Sequence, residues 1–146
     1  MSAPPATFPI VFHPWRKLRS KTTVDLRWSR MPGLLGATDG ASVIVLHPDQ
    51  SQAQRRCTLA HELAHIELGH VHGASPAEES AARLLAARWL IEMPALLAAL
   101  AWAEDLREVA DELWVDEDTL MARLDGLTSS ERDEITALYV EIEGGC

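Results

Sequence analysis

Residues 50–68, with the sequence QSQAQRRCTLAHELAHIEL, decide the fold expected of this chain. The stretch consists largely of strong helix formers, and Leu59, Leu63 and Ile66 recur in it at helical spacing. Gly69 follows directly, as glycine commonly does where a helix ends. The stretch therefore predicts one long helix with an apolar face, around which the remaining elements pack.

Two histidines in this predicted helix, His61 and His65, lie four residues apart. Side chains at this spacing project from the same helix face, so both imidazoles can reach one metal ion at zinc–nitrogen distances of about 2 Å. Glu62 follows His61, where its carboxylate can reach a water molecule on the metal without binding the metal itself. The pattern predicts a zinc-dependent hydrolase with His61 and His65 as ligands and Glu62 as general base.

A third protein ligand is required, because catalytic zinc sites combine three protein ligands with one open position. The long metzincin pattern would need glycine and histidine where this sequence has Leu68 and Val71, so that class is excluded. His70 and His72 are near the motif but lie beyond the predicted helix, where we expect them to cap carbonyls or contact substrate. A glutamate on the following helix is the better donor.

Glu78 and Glu79 are the candidates for the third ligand. The segment Ser75–Glu78 has the signature of a capping box, which gives Glu78 a local task at the helix start. Glu79 shares its helix side with Ala82 and Ala86, whose small side chains would allow a second helix to approach closely. We expect Glu79 to bind the metal, with Glu78 as the alternative.

The remaining sequence predicts a small sheet before the motif helix and further helices after it. Thr22–Trp28 and Ser42–Leu46 have the composition of strands, and Gly36–Gly40 is rich in turn residues. Ser42–Leu46 is expected to be an edge strand beside the metal, where a substrate backbone could pair with it. The expected later helices span residues 76–91, 95–102, 105–113, 117–124 and 129–143, with Asp116 capping one and Thr128 and Glu131 forming a second capping box.

Composition places the chain among ordinary globular proteins. Of its 146 residues, 47% are apolar and 24% are charged, which suits one domain with its own core. The net charge of −9 argues against a general phosphate-binding surface. The first thirty residues nevertheless carry a group of basic side chains that we interpret as a solvated face: Arg16, Lys17, Arg19, Lys21, Arg27 and Arg30.

Cysteine usage and hydropathy indicate the compartment. Cys57 and Cys146 are too few for a disulfide framework. Neither a secretory signal nor an apolar run of about 18 residues is recognisable. We therefore expect a cytoplasmic protein that does not enter a membrane.

The segment Arg55–His65, followed by Glu79 and by Ala86–Ile91, resembles the ImmA/IrrE family of metallopeptidases, and in particular its phage and actinobacterial members. The resemblance extends over about residues 40–127, because the pattern within Glu108–Leu124 is also similar to that family. The zinc motif alone is shared by many peptidases, whereas the motif combined with the downstream glutamate and the Ala-Ala-Arg helix is much more specific.

This resemblance implies a gluzincin-like site, with two histidine ligands, a glutamate base and a downstream glutamate as third ligand. It also implies regulated cleavage of a partner protein, commonly a transcriptional repressor of a phage or another mobile element in a bacterial host. The sequence departs from many members at Ala81, where they have glutamate before the alanine that corresponds to Ala82. The alternative function is a catalytically silent module that binds a repressor through the same scaffold.

Three weaker features favour structural roles. Ala110–Leu124 has the spacing of a helix-turn-helix, but Glu117 and Asp118 would repel phosphate, so we expect helical packing and no direct nucleic-acid binding. Cys57 is expected to be a small buried residue rather than a metal ligand or a redox-sensitive thiol. The tryptophans are expected to be core or subunit-contact anchors: Trp28, Trp89, Trp102 and Trp114.

Together these features predict an α+β fold in a single domain, residues 1–146. Residues 1–14 are an irregular lead-in, residues 15–50 form a small sheet, residues 51–104 supply the zinc helices and residues 105–146 are helical. The expected function is that of a zinc endopeptidase of the HExxH type that acts on a protein substrate.

Overall fold

The computed structural model describes residues 12–71 and 74–144, so most of the predicted lead-in, His72 and Cys146 lie outside the described residues. Three strands and seven helices occupy these ranges, in the order α1 (Pro14–Ser20), β1 (Asp25–Trp28), β2 (Gly36–Thr38), β3 (Val43–Leu46), α2 (Gln52–Glu67), α3 (Pro76–Leu90), α4 (Met93–Trp102), α5 (Leu106–Leu113), α6 (Glu117–Asp125) and α7 (Ser129–Gly144). A small mixed sheet with a helical remainder confirms the predicted α+β fold.

The sheet has the strand order β1-β3-β2. Strand β1 pairs with β3 in parallel and β2 pairs with β3 antiparallel, so β3 is the central strand. The prediction of Ser42–Leu46 as an edge strand was therefore wrong. Part of the predicted turn Gly36–Gly40 instead forms β2, which lies at the sheet edge.

A tight hairpin turn between β2 and β3 explains this difference. Asp39 Oδ1 accepts hydrogen bonds from the backbone N–H groups of Ala41, Ser42 and Val43 at 2.8–3.1 Å. Gly40 has φ +83°, a conformation that glycine adopts without strain. Because these residues complete the turn, the three residues before Asp39 are free to extend and pair with β3.

Helix α1 was not predicted from the sequence. It begins with Pro14, whose fixed φ suits a first helical turn, and it buries Leu18. Lys17 Nζ lies 3.1 Å from Glu67 Oε1 at the end of α2. A helix of this length is stabilised by packing more than by propensity, which is why the local sequence did not indicate it.

Helix α2 lies between the sheet and α3 and buries both of its faces. Towards the sheet, Leu59 and Leu63 form one apolar cluster with Ile44 and Leu46 of β3. Towards α3, alanines from the two helices belong to a second cluster: Ala60, Ala64, Ala82 and Ala86. Alanine side chains are short, so the backbones of α2 and α3 can approach closely along this contact.

The C-terminal helices form the rest of the larger cluster. Val109 and Ala110 of α5 and Leu120 of α6 are buried in it, so the predicted helical packing of this region is confirmed. Within the described ranges no single helix is long and apolar enough to cross a membrane. Helices α3 and α4 have that length and composition only when taken together, and they are bent by 76°.

Three of the four tryptophans considered above are more exposed to solvent than expected. The exposed fraction is 47% for Trp28, 38% for Trp102 and 51% for Trp114, so these three do not anchor the core, and their alternative role as subunit-contact anchors stays a prediction. Trp89 packs against both apolar clusters and stacks on Phe12 with a ring-centroid distance of 4.9 Å. The clusters are filled mainly by alanine and leucine from closely spaced helices, which leaves little room for further indole rings.

A buried ion pair joins the last two helices to α3. Arg123, whose side chain is 3% exposed, contacts Glu131 Oε2 at 2.8 Å and donates through Nε to the Ile91 carbonyl at 2.7 Å. Glu131 also contacts Arg88 of α3 at 3.2 Å and accepts from the Thr128 N–H at 3.0 Å. One carboxylate therefore caps α7 and neutralises a buried guanidinium.

Replacement of this carboxylate, Glu131→Ala, is expected to lower the free energy of unfolding by about 3–5 kcal/mol, because it leaves the buried guanidinium of Arg123 without a counter-charge. Urea unfolding of the purified chain measures the change. The exposed Glu134 on the same helix provides the control, and Glu134→Ala should change stability by no more than about 0.5 kcal/mol. Equal stabilities for the two variants would contradict the role given to the ion pair.

Candidate metal centre

Three side chains from two helices converge at the surface of the α2–α3 contact. His61 and His65 lie one turn apart on α2, and Glu79 lies in the first turn of α3. Their nearest ligand atoms all lie within 4.8 Å of one another, as in a group that could hold a metal ion. The structure thus brings together the three residues that the sequence predicted as ligands.

The distances between the candidate ligand atoms suit a tetrahedrally coordinated metal ion. His65 Nε2 lies 2.7 Å from Glu79 Oε1 and 3.1 Å from His61 Nε2, and His61 Nε2 lies 3.4 Å from Glu79 Oε1. Zinc with ligand distances of about 2.0–2.1 Å separates its ligand atoms by about 3.3 Å. Two imidazole nitrogens and one carboxylate oxygen are a donor set that zinc favours.

Electrostatics favour the metal-binding protonation states of two of these residues. Burial lowers the pKa of His61 and the neighbouring His65 lowers it further, so the neutral ring predominates near neutral pH. Burial raises the pKa of Glu79, but its electrostatic interactions and hydrogen bonds with His61 and His65 together outweigh this effect, and the net shift is downward. A neutral imidazole and an ionised carboxylate are the forms that bind a metal ion.

Glu78 and Glu79 are separated in the way that the capping box predicts. Ser75 Oγ accepts from the Glu78 N–H at 3.1 Å, and Glu78 Oε1 accepts from the Ser75 N–H at 2.9 Å. This pairing holds Glu78 at the helix start, where its Oε2 lies 3.9 Å from Nε2 of His70. The alternative ligand therefore lies apart from the pair His61 and His65.

Glu62 is buried beside the three converging residues, with 6% of its surface exposed. Burial raises its pKa to about 8, and the negative charge of Glu79 contributes in the same direction. A cation held by the neighbouring residues would favour the ionised form and oppose this shift. The carboxylate is thus placed where its protonation state responds to the charge in the site.

The edge strand comes unusually close to this carboxylate. A Cβ atom built on Gly36 would lie 2.5 Å from Thr58 Cγ2, 3.1 Å from Glu62 Oε2 and 3.3 Å from the Val45 carbonyl oxygen. Only glycine therefore fits between β2 and α2 without displacing its neighbours. Thr58 is itself held by a 2.7 Å hydrogen bond from its hydroxyl to Gln50.

The candidate ligands and Glu62 line a cleft of about 530 Å³ between β2, the helices α2 and α3 and the start of α6. Leu34 and Leu35 form an exposed apolar rim on the β2 side. Arg83 lines the cleft on α3, and Asp118 lines it near the start of α6. Of the two acidic residues that argued against DNA readout, Glu117 and Asp118, Asp118 thus borders the cleft.

Cys57 lies on the cleft wall but has the properties of a buried structural residue, as expected. Burial raises the pKa of its thiol to about 11, and the charge of Asp116 adds to this effect. A thiol with such a pKa is protonated near neutral pH, whereas metal binding and nucleophilic attack need the thiolate. The alternative roles considered for Cys57 receive no support from its surroundings.

Sequence reasoning missed two features of the site. The contact of Gly36 with α2 depends on the hairpin, for which the Asp39-Gly40 pair was an available signal. The second is the contact of His70 with His65, whose Nδ1 atoms lie 3.0 Å apart, while the predicted contact of His70 with substrate stays a prediction. The sequence position of His70 beyond the helix did not reveal that the chain turns back.

The substitution Gly36→Ala is expected to cost about 1–3 kcal/mol of stability, because the added methyl overlaps Thr58 and crowds Glu62. Thr58→Ser removes the methyl group at the closest contact and keeps the hydroxyl. Urea unfolding of both single variants and the double variant measures the coupling. The cost of Gly36→Ala should be smaller in the Thr58→Ser background; equal costs in both backgrounds would contradict the contact.

Comparison with known proteins gives one family. No curated protein and no solved structure matches the chain. A metallopeptidase family model, described as the IrrE N-terminal-like domain, matches residues 18–125 and thereby includes the sheet, the converging side chains and α6. Because that match covers most of the sequence, the chain belongs to the family of IrrE N-terminal-like metallopeptidase domains.

Proposed function

We propose that this protein is a zinc-dependent endopeptidase that cleaves a protein partner. One observation carries the proposal: His61, His65 and Glu79 converge to within 4.8 Å, and the buried carboxylate of Glu62 lies beside them in an open cleft. Membership of a metallopeptidase family supports the same class of reaction. The silent binding module is not favoured, because every residue type that hydrolysis needs is present in the cleft.

His61, His65 and Glu79 would hold the ion and leave one position open towards the cleft. A bound zinc ion would supply Lewis acidity towards the scissile carbonyl and would lower the pKa of a water molecule in the site. Glu62 takes the proton of the attacking water on its carboxylate and passes it to the amide nitrogen of the leaving peptide. Its burial keeps bulk water from competing for that proton.

Strand β2 offers the substrate a place to bind in extended form. It lies at the edge of the sheet, and Gly36–Thr38 line the cleft. An extended peptide can add to such an edge through backbone hydrogen bonds, while its side chains meet the cleft walls. In this proposal β2 replaces β3 as the strand that positions the scissile bond.

The partner that we propose is a repressor-type transcriptional regulator of a phage or mobile element in the bacterial cytoplasm. The support is the resemblance of Arg55–His65 and the α3 segment to the ImmA/IrrE family, which implies cleavage of such a regulator. The direct experiment incubates the purified, zinc-loaded chain with the regulator encoded beside its gene. Mass spectrometry should find one specific cut; an intact regulator after prolonged incubation would count against this partner.

The ligand assignment predicts different outcomes for the two adjacent glutamates. Glu79→Ala should lose most of the bound zinc, because it removes the oxygen that lies 2.7 Å from His65 Nε2. Glu78→Ala should retain most of its zinc and mainly destabilise the start of α3, since it removes the capping box. Elemental analysis of the dialysed proteins measures zinc per chain. Zinc loss in Glu78→Ala with retention in Glu79→Ala would reverse the assignment.

The substitution Glu62→Gln should leave zinc content unchanged and reduce hydrolysis of the partner by at least about 100-fold, because the amide cannot accept the proton. Glu67→Gln is a matched control on the same helix, since Glu67 contacts Lys17 and lies outside the cleft lining. Cleavage is followed by gel electrophoresis at equal zinc loading. Comparable rates for Glu62→Gln and Glu67→Gln would exclude Glu62 as the base.

A further inference from the structure

His70, just beyond the end of α2, contacts the ring nitrogen of His65 that faces away from the candidate metal centre. The Nδ1 atoms of the two rings lie 3.0 Å apart, and the ring centroids are 5.2 Å apart. The other nitrogen of His65, Nε2, is the one that faces His61 and Glu79. Nε2 of His65 thus points to the candidate metal centre, while Nδ1 on the other side of the ring contacts His70.

The way in which α2 ends places His70 beside His65. The His70 N–H donates to the His65 carbonyl at 2.9 Å, and the Gly69 N–H donates to the Ile66 carbonyl at 3.1 Å. Gly69 has φ +73°. These two hydrogen bonds and the left-handed glycine are those of a Schellman motif, which turns the chain back over the last helical turn.

The β2–β3 hairpin holds the backbone of His70 from the other side. A Cβ atom built on Gly40 would collide with the carbonyl oxygen of His70 and would lie 3.2 Å from Val71 Cα. Gly40 is fixed in turn by the hydrogen bonds that Asp39 accepts from Ser42 and Val43. The backbone of His70 is therefore confined between the helix end and the hairpin.

The positions of the protons follow from this chain of contacts. If Nε2 of His65 binds a metal ion, its proton resides on Nδ1, which must donate to an acceptor. Nδ1 of His70 is that acceptor when the His70 proton resides on Nε2. Glu78 Oε2 lies 3.9 Å from His70 Nε2 and favours the proton there. Each ring then has one defined tautomer.

We infer that His70 is a positioning residue that orients His65 for metal binding, with Glu78 favouring the required tautomer of His70. The inference rests on the proposed metal site, but it concerns residues outside the ligand set. It also gives Glu78 a second task besides the capping box, because Glu78 is connected to the metal through His70 and then His65, whereas Glu79 would bind the metal directly. Removal of the partner of a ligating histidine typically weakens metal binding by about 10–100-fold.

The experiment compares two variants of His70 by zinc affinity, measured on the purified full chain in competition with a chromophoric chelator. His70→Phe keeps a ring of similar size and removes the acceptor, so affinity should fall by about 10–100-fold. His70→Asn keeps an acceptor oxygen near the position of Nδ1 and should recover most of that loss. His47→Phe is the control, because the His47 ring accepts a hydrogen bond from the Asp49 N–H at 3.0 Å and lies outside the cleft lining.

Two results would overturn the inference. One is a loss of zinc affinity smaller than about tenfold in His70→Phe, and the other is a zinc affinity of His70→Asn as low as that of His70→Phe, which would indicate packing rather than hydrogen bonding.

Glu78→Gln provides a second measurement, because glutamine keeps an oxygen for the Ser75 N–H but removes the charge that faces His70. Its affinity should fall by less than that of His70→Phe, and unchanged affinity would remove Glu78 from the inference. His61→Ala distinguishes the two proposals: zinc binding that survives in it contradicts the metal site itself.

Discussion

The close contact between α2 and α3 is the constraint on which the rest of the structure depends. Ala60 and Ala64 face Ala82 and Ala86 in one buried cluster, so the two helix backbones can approach each other. Larger side chains at these positions would separate the helices and move the first turn of α3 away from the histidines. The carboxylate oxygen of Glu79 lies 2.7 Å from His65 Nε2 because this contact is made of small residues.

Structural features at the start of α3 and at the end of α2 position the site residues around this contact. At the start of α3, the capping box occupies Glu78 and leaves Glu79 as the acidic side chain that faces the histidines. At the end of α2, the Schellman motif and the β2–β3 hairpin hold His70 against His65. The same hairpin brings Gly36 next to Glu62, so one short turn supports the ligand, the base and the edge of the cleft.

The parts of this arrangement that depend on local patterns could be predicted from sequence. The motif helix, the capping box of Ser75 and Glu78 and the choice of Glu79 rest on spacings of three or four residues, which a helix converts directly into geometry. The order of the strands depends on pairing between distant segments, so β3 was placed at the edge although β2 occupies it. The same limit applies to the exposed tryptophans and to His70, whose surroundings depend on how the chain turns after Gly69.

Anomalous diffraction at the zinc absorption edge, from crystals grown with zinc, tests the central claim most directly. The account predicts one strong peak at about 2.0–2.2 Å from His61 Nε2, His65 Nε2 and a carboxylate oxygen of Glu79, with Glu62 nearby but not bound to the ion. A peak coordinated by Glu78 or Cys57 in place of Glu79, or no peak between the two histidines, would contradict it.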